Sequence, residues 1–151
     1  MSKKRARASK SKKPKLDPGL LKAHYAYEAA INTNNVDKVM AMYDKDAAQV
    51  PPGAPATVGR RQLRKAVHDY FASCKTHWTK VPIQNWVFGD FGFDFGHDTA
   101  VDIPYAKGQP TIFWNCQGIL IYKRQKNGKW LVFRDIWNNI SDPTYMLPHK
   151  K

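Results

Sequence analysis

The sequence predicts an α+β fold, in which a cone-shaped, curved antiparallel sheet wraps around three N-terminal helices as an α+β barrel. Helical spacing of apolar residues is confined to the first half of the folded body, and strand-like runs fill the second half. The last two runs, residues 112–123 and 129–137, are joined at Asn127-Gly128, a dipeptide typical of tight hairpin turns. Helices followed by antiparallel strands are typical of the α+β class.

Length and charge define three regions of the chain. The 151 residues suffice for one domain, which we place at residues 17–140, between a disordered basic arm (1–16) and a C-terminal tail (141–151). The net charge is +13, but the first 15 residues hold eight Lys and Arg and no acid. The folded body is therefore only mildly basic.

The basic arm lacks the apolar residues that would offset the entropy cost of ordering it. We consider four roles for it: a nuclear localisation signal, a site for the phosphates of RNA or DNA, a mitochondrial targeting peptide, and a solvated tail. The mitochondrial role is the weakest, because the arm has no apolar face, so we expect an intracellular protein of the nucleus or cytoplasm. The candidate nucleic-acid-binding residues are Lys3, Lys4, Arg5, Arg7, Lys10, Lys12, Lys13 and Lys15.

The first helix is predicted to begin at Pro18, with Asp17 as its N-cap, and to end near residues 32–34. Its buried stripe includes His24 and Tyr27. A histidine on such a stripe is more often a satisfied core residue than a catalytic one, and both roles stay open for His24.

Asn35 is predicted to cap a second helix, whose inner face includes Val36, Val39, Met40 and Tyr43. A short strand at residues 47–50 and a Pro-rich loop follow, and Gly59 leads into a third helix over residues 60–73. The exposed side of this helix carries Arg60, Arg61, Arg64 and Lys65. This cluster is either a second contact for phosphates or, as is commoner, a solvated helix face.

Four strands are predicted at residues 79–88, 99–105, 112–123 and 129–137, and the Gly-rich segment 89–98 is interpreted as a turn whose Phe residues pack on the sheet. In the last strand, strict alternation separates two faces. One face carries Trp130, Val132, Arg134 and Ile136, and the other carries Leu131, Phe133, Asp135 and Trp137.

The sequence gives no indication of a metal, a cofactor or a membrane span. The five histidines show no ligand spacing, and phosphate-loop and dinucleotide-binding motifs are absent. Cys74 and Cys116 are far apart and are expected to be reduced thiols. No apolar run approaches the ~20 residues that a membrane span requires.

Four stretches resemble the nuclear transport factor 2-like superfamily, in its SnoaL-like and ketosteroid isomerase-like branch. They are YEAAIN at residues 27–32, NVD at 35–37 with Tyr43, VPPGAP at 50–55 leading to Gly59-Arg60, and GKW at 128–130 followed by DIWN at 135–138. The resemblance implies a cone that commonly dimerises through the outer face of its sheet. On that model Trp130, Val132 and Ile136 face a partner subunit, and Asp135 and Trp137 lie on the concave side with Tyr27 and Tyr43.

A carboxylate in an aromatic pocket has its pKa raised by desolvation, which suits it to proton transfer near neutral pH. Asp135, with Tyr43 or His24, is therefore the candidate acid/base for moving a proton next to a carbonyl. The candidate ligand-binding residues are Tyr27, Trp137, Asn115 and Gln117. The alternatives are that Asp135 pairs with a buried group and stiffens the cone, and that Asn115 and Gln117 face water.

Two functional hypotheses follow from these patterns. The first is a SnoaL-like pocket domain that binds a small molecule or catalyses isomerase- or cyclase-type proton transfer. The second is a non-catalytic dimeric scaffold, whose basic arm binds nucleic acid or a ribonucleoprotein assembly. The aromatic cone with Asp135 favours the first, and the clustered cations of the arm favour the second.

Overall fold

The computed structural model describes residues 15–147. The predicted arm at residues 1–16 lies almost entirely outside this range, and so do residues 148–151. Three helices and seven strands are present in the described part of the chain. In chain order they are α1 (Pro18–Asn32), α2 (Val36–Met40), β1 (Tyr43–Val50), β2 (Thr57–Val58), α3 (Arg60–Ser73), β3 (Cys74–Phe88), β4 (Phe91–Pro104), β5 (Thr111–Arg124), β6 (Trp130–Asn139) and β7 (Thr144–Met146).

The seven strands form one curved sheet in the order β2-β1-β6-β5-β4-β3, and β7 pairs with β5. The sheet does not close, because β2 and β3 stay at opposite ends of this order. Most neighbours are antiparallel, but β1 and β6 are parallel, so the sheet is mixed. The cone-shaped α+β fold is confirmed, and the expectation of a wholly antiparallel barrel is corrected in these two respects.

The helix boundaries follow from the capping residues found in the sequence. The Asp17 side chain accepts a hydrogen bond from the amide of Leu20 at 2.9 Å, and Asn35 accepts one from the amide of Lys38 at 3.0 Å. The second helix ends at Met40, earlier than predicted, so Tyr43 is the first residue of β1 rather than a helical residue.

The segment predicted as a Gly-rich turn is the first half of β4, so that prediction is wrong. Only residues 89 and 90 turn the chain, and β4 pairs with β3 and β5 along its length. Gly92 and Gly96 occur in this strand because other groups come close to it. A Cβ at Gly92 would lie 2.3 Å from Leu20, and one at Gly96 would lie 2.5 Å from the carbonyl oxygen of Val81.

The core lies between the inner face of the sheet and α1, α2 and α3. It is formed by aliphatic and aromatic side chains from all three helices and from β1, β5 and β6. Its largest fully buried members are Tyr27, Tyr43, Tyr122, Leu20, Met40, Leu63, Leu120 and Val132.

A β-bulge in β6 breaks the alternation that the sequence suggested. Val132 pairs with Tyr122 and Arg134 pairs with Ile121, so Phe133 is the extra residue. Val132 is consequently buried in the core, and Asp135 still faces inward. The prediction that Trp130 and Val132 face a partner is therefore wrong.

Trp130 packs against the buried core, and its indole lies next to Gly19 at the start of α1. Phe133 packs on the opposite side of the sheet against Phe91, with ring centroids 5.7 Å apart. Of the residues expected at a dimer interface, Ile136 alone remains on the outer face, where it is 38% exposed.

The C-terminal segment is tied to the fold by its backbone. Its strand β7 pairs with the start of β5, while the side chains of Tyr145, Met146 and Leu147 stay exposed. The ordered body thus extends past residue 140. No helix within residues 15–147 is long and apolar enough to cross a membrane.

Candidate functional site

A cavity of about 570 Å³ opens between the inner face of the sheet, α1, α3 and the Pro-rich loop after β1. Its walls are mostly aromatic and aliphatic, and its polar groups form two clusters, one on β6 and one on β4. The aromatic and acidic residues that line it are Tyr27, Tyr70, Trp78, Asp98, Asp102, Trp114, Asp135 and Trp137. A concave, largely apolar site with a few polar groups is typical of small-molecule binding.

The first cluster is a chain of hydrogen bonds that ends on Asp135. Gln49 donates to the Tyr43 hydroxyl at 2.7 Å, and the two tyrosine hydroxyls lie 2.5 Å apart. Tyr27 donates to Oδ2 of Asp135 at 2.9 Å, so Tyr43 is left to donate to Tyr27. Among residues 15–147 only Tyr27 makes a full hydrogen bond to this carboxylate, and Tyr43 and Gln49 interact with it more weakly. Oδ1 of Asp135 has no full hydrogen bond within this range.

Burial raises the pKa of the Asp135 carboxyl above its ordinary value, and the hydrogen bond from Tyr27 and the positive charge of Lys80 partly oppose it. Burial and the nearby charge of Asp135 also raise the pKa of Tyr27 and of Tyr43. Both tyrosines are therefore neutral donors near neutral pH. The part of Asp135 that stays accessible faces the cavity.

A buried ion pair lies beside Asp135. Lys80 on β3 places Nζ 3.2 Å from Oδ1 of Asp98 on β4, and both side chains are less than a tenth exposed. Lys80 also donates to the carbonyl oxygen of Gly118 at 3.1 Å. A Cβ at Gly118 would lie 3.2 Å from Asp98 and 2.5 Å from the carbonyl oxygen of Ile136, so the glycine leaves room for this carboxylate.

Burial raises the pKa of Asp98 to about 6, although the charge of Lys80 opposes the shift. Asp98 lines the cavity, whereas Lys80 does not. The cavity wall thus contains one carboxylate, Asp98, whose charge is balanced by the ammonium group of Lys80.

The second polar cluster is centred on Asp102, further along β4. Its Oδ1 accepts a hydrogen bond from the Tyr70 hydroxyl at 2.6 Å, and its Oδ2 accepts one from the Trp114 indole at 2.7 Å. The Tyr70 hydroxyl also lies 2.9 Å from the hydroxyl of Thr76. Burial and the hydrogen bond to Asp102 raise the pKa of Tyr70. Both oxygens of Asp102 are therefore held in place.

Four of the predicted site residues meet in the structure. Asp135, Tyr27 and Trp137 line the cavity, and Tyr43 lies directly behind Tyr27. Asp135 and Trp137 both point into the cavity. The sequence-based hypothesis depended on this direction.

His24 is not part of the cavity. It is fully buried, with Nδ1 2.8 Å from Oδ2 of Asp94 and Nε2 3.1 Å from the carbonyl oxygen of Lys80. Both ring nitrogens are engaged, so His24 is a satisfied core histidine. Its assignment as a catalytic residue is corrected.

Asn115 and Gln117 lie on the outer side of β5, because Cys116 between them faces the cavity. The side chain of Asn115 lies 2.6 Å from Nε2 of His97, and Gln117 is exposed. The structure therefore does not support them as ligand-binding residues.

Six residues of the site were missed by the sequence analysis: Tyr70, Trp78, Lys80, Asp98, Asp102 and Trp114. The available signal was the alternation of Phe91, Phe93 and Phe95 with small or acidic residues, a period-two pattern. That period indicates a strand with its carboxylates on one face. The glycines at positions 89, 92 and 96 instead led to the interpretation of this segment as a turn.

The described residues contain no group of three or more His, Cys, Asp or Glu side chains that is arranged to hold a metal ion. Cys74 and Cys116 are both free and buried. Of the eight basic residues assigned to the arm, Lys15 alone lies in the described range, where it is exposed.

The curved sheet, the three helices and the enclosed cavity define a protein of the nuclear transport factor 2-like class. A family model described as a SnoaL-like domain matches residues 23–133. The chain belongs to the SnoaL-like family. No curated protein sequence matches it significantly.

Solved structures share this fold at low sequence identity. A ketosteroid isomerase-like protein from Erwinia carotovora atroseptica is 21% identical, with a TM-score of 0.70 over 82% of this chain and 95% of that one. A proposed scytalone dehydratase from Novosphingobium aromaticivorans is 12% identical, with a TM-score of 0.75 over 88% and 87% of the two chains. A proposed aromatic ring hydroxylase from the same species is 16% identical, with a TM-score of 0.74 over 85% and 91%. At these identities the similarity shows the fold alone.

The buried ion pair predicts a pH-dependent loss of stability in Lys80→Met. Without its cation, Asp98 is a buried unpaired carboxylate, and we expect about 3 kcal/mol of destabilisation at pH 7.5. The folded-state pKa of Asp98 is already raised to about 6 and rises further without Lys80, whose charge opposes the shift. The folded state then holds a proton that the unfolded state releases, so stability falls as pH rises above the ordinary carboxyl value.

Urea unfolding of the wild type and of Lys80→Met at pH 5 and pH 7.5 measures their free energies of unfolding. The loss of stability in the variant should be smaller at pH 5. Lys80→Met combined with Asp98→Asn is the matched control, since it removes both charges, and its own free energy of unfolding should lack the fall between pH 5 and pH 7.5 that Asp98 causes. An equal loss from Lys80→Met at both pH values would contradict this account.

Proposed function

We propose that this protein binds a small, largely apolar carbonyl compound in its cavity and transfers a proton at the carbon next to the carbonyl. Asp135 is the base. The observation that carries the proposal is the geometry of this carboxylate, with Oδ2 held by Tyr27 and Oδ1 open to an aromatic cavity.

In the proposed step, Oδ1 of Asp135 takes a proton from carbon, and the electron pair of the broken C–H bond moves toward the carbonyl oxygen to form an enolate. Where the compound carries a C=C bond next to the deprotonated carbon, the electron pair extends to the far carbon of that bond, and the protonated carboxyl returns the proton there, which isomerises the compound. The raised pKa of Asp135 supports this role, because a stronger base removes a carbon-bound proton more readily. The Gln49–Tyr43–Tyr27 chain supports it by fixing the orientation of the carboxylate.

We predict that the protein accelerates exchange of the α-protons of 2-tetralone with D₂O, followed by ¹H NMR. Asp135→Asn should lower this exchange rate by about 100-fold, the usual contribution of a positioned general base. Asp37→Asn, which changes an exposed acid that is paired with Arg64, should leave the rate unchanged. Thermal melts of both variants report whether they are folded.

The exchange rate should rise with pH as Asp135 loses its proton, with a midpoint above the ordinary carboxyl value because its pKa is raised. Equal rates in wild type and a folded Asp135→Asn protein would show that this carboxylate only stiffens the cone. A wild-type rate no faster than buffer would overturn the proposed activity toward ketones of this kind.

The clustered cations of residues 1–15 favour a second candidate function, the binding of single-stranded nucleic acid or a ribonucleoprotein assembly. Eight cations without an acid attract phosphates by counterion release. This function uses a different part of the chain from the cavity, so the two candidates are compatible.

We predict that the full chain binds a fluorescein-labelled U20 RNA with a steep salt dependence. If all eight cations contact phosphates, the slope of log K against log salt is roughly −5.6. Deleting residues 1–15 should remove most of this slope, while Asp135→Asn should leave it unchanged. Fluorescence anisotropy between 50 and 300 mM KCl measures it, and an unaltered slope after the deletion would contradict the proposal.

We also propose that the outer face of the sheet binds a second copy of the chain. Apolar side chains from four strands share this face, including Val81, Phe95, Ile119 and Ile136, and Val81 is 59% exposed. Polar residues, among them His97 and Gln117, lie between these apolar side chains. Exposed apolar side chains gathered on one face are typical of an interface between subunits. The partly stacked Trp86 and Phe93 extend it toward the β3–β4 turn.

Size-exclusion chromatography with light scattering should give twice the mass of one chain. Ile136→Glu should shift the protein toward monomer and weaken the dimer by about tenfold or more, since it places a charge inside an apolar interface. Val58→Glu, on the exposed strand β2, is the control and should leave the dimer intact. A monomeric wild-type protein would exclude this interface.

A further inference from the structure

The cavity is acidic in a chain whose net charge is +13. Three carboxylates line it, those of Asp98, Asp102 and Asp135. Within residues 15–147, no Lys, Arg or His side chain lines it. The side chains that line the cavity are therefore acidic, although the net charge of the chain as a whole is positive.

Only one of the three carboxylates has a cation of its own. Asp98 is paired with Lys80, but Asp102 and Asp135 form no ion pair within 4 Å with any residue in the described range. Their hydrogen-bond donors are neutral: Tyr70 and Trp114 for Asp102, and Tyr27 for Asp135. Keeping carboxylates away from water without a counter-ion is unfavourable. A positively charged ligand would remove that cost.

The aromatic walls favour the same class of ligand. Tyr27, Tyr70, Trp78, Trp114 and Trp137 line the cavity, and the π-face of an aromatic ring attracts a cation. Aromatic walls alone would suit a neutral apolar ligand equally well. The two uncompensated carboxylates distinguish these cases, because they favour a cation and repel an anion.

We propose that the cavity binds an organic monocation, an aromatic or aliphatic molecule with a protonated amine, whose ammonium group lies beside Asp102, Tyr70 and Trp114. Asp102 is the suitable counter-ion, because both of its oxygens are held in place. Asp98 and Asp102 are four residues apart on β4, so their Cα atoms are separated by roughly 13 Å along the strand. The other end of the ligand therefore reaches the region of Asp98 and Asp135.

This inference deepens the proposed function by naming its substrate class, and it rests on the cavity being the site of that function. Proton transfer to Asp135 moves the negative charge from its carboxylate to the enolate oxygen, and among residues 15–147 no cation lines the cavity wall to stabilise it there. An ammonium group on the ligand supplies the missing positive charge.

The test compares three ligands that share a phenyl ring and differ in charge: phenethylammonium, 2-phenylethanol and 3-phenylpropanoate. Their binding to the full chain is followed by tryptophan fluorescence at pH 7.5. We expect the ammonium compound to bind at least about tenfold tighter than the alcohol, and the carboxylate to bind most weakly. Alcohol or carboxylate binding as tight as that of the ammonium, or no ammonium binding, overturns the proposal.

Asp102→Asn tests the position of the ammonium group. It should reduce the preference for ammonium over alcohol to less than about threefold, whereas the exposed control Asp37→Asn should keep it. A preserved preference in a folded Asp102→Asn protein overturns the placement at Asp102. The comparison of ligands in the wild type does not depend on this variant being folded.

The two proposals fail separately. Exchange of 2-tetralone protons without a preference for ammonium overturns the ligand class and leaves the proton transfer standing. Tight ammonium binding without exchange supports the ligand class and overturns the proton transfer.

Discussion

The hydrogen bond from Tyr27 to Asp135 joins the first helix of the domain to its last long strand, and both residues line the cavity. Tyr27 also lies against Tyr43 on β1, so three elements that are distant in sequence meet at one carboxylate. A carboxylate here would be too costly to bury without a donor. The tyrosine chain lowers that cost while it leaves one oxygen open to the cavity.

Burying several charges in a small core imposes local requirements on the chain. Gly96 and Gly118 leave room for Lys80 and Asp98, since a side chain at either glycine would meet backbone atoms at 2.5 Å. His24 and Asp94 form a second buried pair on the other side of Lys80. Gly96, one of the glycines that make β4 resemble a turn in the sequence, therefore also leaves the space that a buried Lys80 beside this strand requires.

The sequence was sufficient for the fold and for half of the site. Caps at Asp17 and Asn35, helical spacing and the Asn127-Gly128 turn are local signals, and each predicted its element. The bulge at Phe133 is not local, because it depends on how β5 and β6 pair. Strict alternation therefore placed Val132 on the wrong face. Asp98 was missed for a different reason, because the glycines of residues 89–96 made the start of β4 resemble a turn.

Asp102 provides an internal comparison for the role of Asp135. Both carboxylates lie on the wall of one cavity and both accept hydrogen bonds from aromatic side chains. Asp102 has a donor on each oxygen, which holds its charge in one position and suits it to pair with a cation. Among residues 15–147, Asp135 accepts a full hydrogen bond on Oδ2 alone. Its second oxygen has no full donor, so Asp135 is the better suited of the two carboxylates to take up a proton.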